Sequence, residues 1–136
     1  MKVEQYSNMC LEDGIYLMRL VECDPNQRSA KEDRMILLKW EEEDSKTSVW
    51  DRLVVAPSAA WKLAQLWVAL GGSADDEVGD LPAFAAMLVQ RANSKVAVYA
   101  KLYADEWQGK KRNKIGEYLT DETGKVLQGA QGRSPF

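Results

Sequence analysis

Between Tyr103 and Tyr118 the sequence reads YADEWQGKKRNKIGEY, which sets Lys110, Lys111, Arg112 and Lys114 beside Trp107. Cations and rings in one short stretch suit a particular chemistry. Ammonium and guanidinium groups track phosphates, aromatic faces stack on bases, and neither demands a particular base sequence. Just upstream, SKVAVYAKLY alternates: Lys95, Tyr99, Lys101 and Tyr103 share one strand face, opposite Val96, Val98, Ala100 and Leu102. On SVWDRLVV, Trp50 and Arg52 face away from Leu53 and Val55 and extend the set, as Lys39 does on the preceding strand. From residue 95 to 114, six Lys/Arg stand against two acids, a local +4 that leaves −7 for the rest of a chain of net charge −3. That polarisation attracts anions to one segment and discourages them elsewhere. The same residues also have structural uses. Lysine guards strand edges against pairing, and Trp50, Tyr99 or Tyr103 could cover a second apolar face.

Other chemistries find less to work with. There is no histidine, which removes Ser-His and Cys-His nucleophile pairs and the HExxH zinc site. No Walker loop or GxGxxG occurs. The run Glu41, Glu42, Glu43, Asp44 raises a magnesium-dependent nuclease as one alternative. Consecutive side chains on a strand point to opposite faces, however, so the four acids suit a solvated turn better than one metal. Cys10 and Cys23 lack metal-ligand spacing and read as reduced thiols. The expectation is a non-enzyme without metal or cofactor.

The elements that must position these groups follow from pattern. GIYLMRLVEC (14–23), RMILLKWEEE (34–43) and SVWDRLVV (48–55) read as three strands joined by polar loops, an antiparallel meander. In the second, Ile36, Leu38 and Trp40 share one face. A helix then runs from Ser58 as N-cap to Gly71 as its terminator, with Leu63, Trp67 and Leu70 inward. Asp80 caps a second helix with Pro82 in its first turn. Strand 4 (94–104), a DEWQGKK loop and strand 5 (RNKIGEYL) follow, then a TDETGK turn and a brief VLQ strand. The fold class is mainly β: a five-stranded antiparallel OB-like barrel with helices between strands 3 and 4. A helix–sheet sandwich of the same order is the competitor. Residues 1–13 form a lead-in, 14–128 the domain and 129–136 a flexible tail. No apolar run approaches the roughly 20 residues of a membrane span, and no secretory signal is visible at the start.

GIYLMRLVE, MILLKWEE and VWDRLVV, followed by LWVALGG, KVAVYAKLY and RNKIGEYL, resemble a phage-encoded family of small OB-fold single-stranded DNA-binding proteins, over roughly residues 12–120. The resemblance implies sequence-independent single-stranded DNA binding during phage replication or recombination, in the cytoplasm of a bacterial host. The closing Pro135 and Phe136 resemble the tip by which bacterial single-stranded DNA-binding proteins recruit replication or recombination partners. Arg133 and Ser134 stand where that tip is acidic. The alternative is a protein-interaction module, a phage factor that meets a host protein through its acidic surface, EEED and SADDEVGD. Homo-oligomerisation is compatible with either.

Overall fold

Alternation decides which side of each strand is buried. On β2 (Arg34–Glu42) the side chains of Ile36, Leu38 and Trp40 are at most 1% exposed, while Leu37, Lys39 and Glu41 between them face outward. The computed structural model describes residues 10–94 and 97–131. Within it β1 (Gly14–Arg28), β2, β3 (Ser48–Val54), β4 (Ala97–Trp107) and β5 (Lys110–Leu119) form one antiparallel sheet, ordered β3-β2-β1-β4-β5. β1 serves two neighbours. Gly14 to Arg19 pair with β4, and Met18 to Arg28 pair with β2. Two register breaks, at Leu20/Glu22 and Asp24/Gln27, let so long a strand coil between them. Residues 24–28, expected as loop, therefore continue the strand.

The ladder leaves β3 and β5 as its two edges. Between β3 and β4 come a short 3-10 turn (Pro57–Ala59), α1 (Ala60–Ala69) and α2 (Leu81–Ser94), the helical insertion the sequence pattern predicts. Ser58 falls inside the 3-10 turn and does not cap α1. Asp80 does cap α2, its Oδ1 accepting from the Ala83 amide at 2.9 Å. Gly71 ends α1 with φ +99°, a conformation that favours glycine. Leu63, Leu66 and Trp67 of α1 and Phe84, Ala85 and Leu88 of α2 complete one core with Met18, Trp40 and Val98.

Two further expectations are corrected. The stretch after β5 is α3 (Asp121–Gln131), where a turn and brief strand were predicted. Thr120 caps it, its Oγ1 accepting from the Thr123 amide, and Asp121 and Glu122 occupy the positive end of the helix. Gly124 lies directly on Tyr99, where an added Cβ would come within 2.3 Å of the ring system. A helix so close to β4 seals a small second core of Ile15, Tyr99 and Leu119 on the outer face. The expected DEWQGKK loop is mostly ladder: Asp105, Glu106 and Trp107 pair with Arg112, Lys111 and Lys110. The chain reverses over Gln108 and Gly109, both at positive φ (51° and 75°), the pattern of a two-residue turn that matches strand twist. Among the described residues no helix is long and apolar enough to cross a membrane.

Candidate nucleic-acid interface

Because β3 and β5 are both edges, a seam runs between them, and α1 fills part of it. The Lys62 ammonium donates to the Ile115 carbonyl at 2.7 Å and to Asp51 Oδ1 at 3.1 Å. The Tyr118 amide donates to Gln65 Oε1 at 2.7 Å. One residue apiece from successive turns of α1 thus supplies edge groups of β5 that no further strand among the described residues bonds. Inside, the Tyr118 hydroxyl donates to Asp51 Oδ2 at 2.5 Å and accepts from Trp40 Nε1 at 3.1 Å. Burial first, then the Asp51 carboxylate, holds the Tyr118 hydroxyl well above its usual range, so it stays a donor. This network ties the paired strands β2 and β3 to β5 and α1 without a backbone ladder between β3 and β5.

Beyond Lys62 the seam is open and forms a groove of about 840 Å³. Thr47, Ser48, Trp50, Asp51 and Arg52 line one side, and Lys111, Arg112, Asn113, Lys114 and Ile115 the other, with Leu37 and Tyr103 beside them. Runs of consecutive residues line it, whereas a sheet face would contribute alternate ones. The walls are therefore two strand edges. Among the described residues, Arg52, Lys62, Lys111, Arg112 and Lys114 face a single lining carboxylate, Asp51, which Lys62 already pairs. Trp50 is 44% exposed and Tyr103 41%, high values for rings of that size. Lys39 stands over Trp50, its Nζ 5.1 Å from the ring centroid, and helps hold the indole. Tyr103 lies against Gly116, where any Cβ would be 3.3 Å from its ring.

Asp105 tempers the cations. It contacts Lys114 at 3.0 Å and Arg112 at 3.7 Å. The Lys114 hydrogen bond, and then the Glu106 amide and the two cations, hold its carboxyl below the usual range against a smaller opposing effect of desolvation.

The structure sorts the sequence-predicted residues. Trp50, Arg52, Tyr103, Lys111, Arg112 and Lys114 converge on the groove, with Lys39 behind Trp50. Tyr99 is 8% exposed beneath α3 and offers no face to solvent. Lys101 is exposed but opposite Glu117 on the ladder, away from the groove lining. Lys110 opens β5 across from Trp107, whose side chain lies outside the described residues. Lys95, Pro135 and Phe136 also lie outside them. Lys62 was missed. Its signal was available: Lys62 and Gln65 are the polar side chains of AWKLAQLWVA, and their i, i+3 spacing gives that helix a polar stripe.

The acidic run straddles the end of β2 and the turn after it: Glu41 and Glu42 close the strand, and Glu43 and Asp44 begin the turn. Burial raises the Glu42 carboxyl, but the Asp44 and Ser45 amides that it accepts outweigh this and leave it below its usual range. Glu43 pairs with Arg19 at 3.0 Å. Among the described residues no group of three His, Cys, Asp or Glu converges as a metal site. In comparisons with known proteins, the chain matches no protein-family model and no curated protein, so the geometry of the groove carries the functional argument.

Proposed function

We propose that this chain is a single-stranded DNA-binding protein that holds the strand along the open part of the β3–β5 seam, with little sequence preference, in phage DNA replication or recombination. One observation carries the proposal: an extended groove between two strand edges, lined by five cations, one carboxylate already paired, and two exposed aromatic rings. Cations spaced along a groove match the regular charge of a backbone, and rings among them accept any base. The strand order supports an OB-type reading. β3 and β5 stand at opposite ends of the ladder, yet Asp51, Lys62 and Tyr118 bring them together, as in a partly open five-stranded barrel. In such barrels the face of strands 2 and 3 and the loop joining strands 4 and 5 bind oligonucleotides. Trp50, Arg52 and the β4–β5 hairpin occupy the corresponding places.

A duplex is too wide and rigid to present its bases to Trp50 and Tyr103, so single strands are favoured. The test is fluorescence anisotropy with single- and double-stranded oligonucleotides over a salt series. Wild type binds single strands more tightly, and affinity falls as salt rises. Lys111→Ala/Arg112→Ala/Lys114→Ala lowers the log-log salt slope by about 2, at about 0.7 per phosphate contact. Absence of salt-dependent single-strand binding by wild type refutes the function. An unchanged slope in the triple variant refutes the site.

A further inference from the structure

A second groove, of about 430 Å³, lies along α1, between that helix, the loop of residues 73–78 and Thr120, the residue that caps α3. Trp67, Val68, Val78 and Phe84 make it mostly apolar, and the exposed Ala64 stands at its edge. Its rim is acidic: Asp76 lines it, and Asp75 and Glu77 flank it in the exposed loop. Asp76 is fixed there, its Oδ2 accepting from the Ser73 amide and from Trp67 Nε1, both at 2.8 Å. An apolar slot with an anionic border fits a short segment carrying one bulky apolar side chain and one cation a few residues away.

The chain contains such a segment. Residues 132–136, outside the described residues, read GRSPF, with Arg133 and Phe136 as its cation and ring. Reaching its own groove would take a fully extended tail. α3 begins just past Thr120, which lines the groove, and runs toward β1, where Gln128 donates to the Ile15 carbonyl. A helix of 11 residues is about 16 Å long. Five extended residues span at most about 18 Å, which leaves almost no slack for reversing direction. A neighbouring molecule has no such limit.

We infer that this groove receives the Arg133–Phe136 segment of a second copy of the chain, so that copies join head to tail. The contact is heterologous: groove and tail are different surfaces, and a joined pair keeps one groove and one tail free for the next molecule. The inference does not depend on nucleic-acid binding.

Sedimentation velocity of the full-length chain over a concentration series tests it. Wild type forms dimers and longer species as concentration rises, and added salt weakens them because Arg133 faces the acidic rim. Phe136→Ala, which disables the tail, is monomeric. Ala64→Arg, which covers the groove from an exposed helical position, is monomeric too, and Asp75→Lys weakens association without touching the apolar lining. A mixture of Phe136→Ala and Ala64→Arg forms dimers and nothing longer, because one intact groove meets one intact tail. All three variants bind a short single-stranded oligonucleotide as wild type does, which keeps this result separate from the proposed function. A wild type that stays monomeric, a Phe136→Ala variant that still associates, or a mixture that stays monomeric overturns the inference.

Discussion

The two parts of the β3–β5 seam have the same framework and opposite chemistry. Where α1 reaches it, Lys62 and Gln65 supply the edge groups of β5, and Asp51, Tyr118 and Trp40 bond to one another in the interior. Beyond α1, equivalent edges carry Trp50, Arg52, Lys111 and Lys114 into a groove open to solvent. The first part is complete in itself and fastens the sheet. The second keeps cations and rings where water or an anionic ligand must meet them. An open edge is a liability unless covered, charged or paired. The molecule covers half of it with a helix and charges the other half.

The largest expected effect tests the closed part. Asp51→Ala removes the acceptor shared by Lys62 and Tyr118, and should cost about 3 kcal/mol of folding stability, the low end for breaking a nearly buried pair. Chemical denaturation measures it; a loss below about 1 kcal/mol would mean the network does not fasten the seam. Trp50→Ala tests the open part. It should weaken single-strand binding by about 1–3 kcal/mol while leaving stability and salt slope nearly unchanged, since a stacked ring releases no counterion. A parallel loss of stability would move Trp50 to the structural side of the comparison.

A pH effect separates the two parts further. The folded state holds the Tyr118 proton above the ordinary value of 10.0. Its contribution to stability is therefore fully present below pH 10 and lost as pH rises beyond it. Tyr118→Phe should flatten this alkaline decline relative to wild type in thermal melts between pH 9 and about 11. An unchanged decline would show that Tyr118 titrates freely. The smallest effect belongs to Asp105, which neutralises cations of the open part. Asp105→Asn should tighten single-strand binding by less than about tenfold and steepen its salt slope. Weaker binding would show instead that the carboxylate positions Lys114 and Arg112 for their ligand.

Much of this was legible in the sequence. The alternation of Ile36, Leu38 and Trp40, the two helices after β3 and the Asp80 cap were all predicted, because period and capping are local properties. Trp50, Arg52 and Tyr103 were legible as outward residues for the same reason. α3 was hidden. Gly124 and Gly129 weaken an eleven-residue helix, and the contact that repays Gly124 is with Tyr99, far away in sequence. The Thr120 cap with Asp121 and Glu122 behind it was the signal to weigh more heavily.

Tyr99 and Tyr103 draw the dividing line. Both lie on the outward face of β4, and strand period assigns them the same environment. Sequence by itself determined that face, the segregation of positive charge toward residues 95–114, and the order of strands and helices as far as β5, since each depends on near neighbours along the chain. Tertiary structure alone decided that α3 would bury Tyr99, that the β4–β5 hairpin would carry Tyr103 out to the groove, and that Lys62 would arrive from α1 to meet Asp51 and Ile115. Those outcomes depend on which surfaces pack together, and packing is settled by contacts between residues that no local pattern relates.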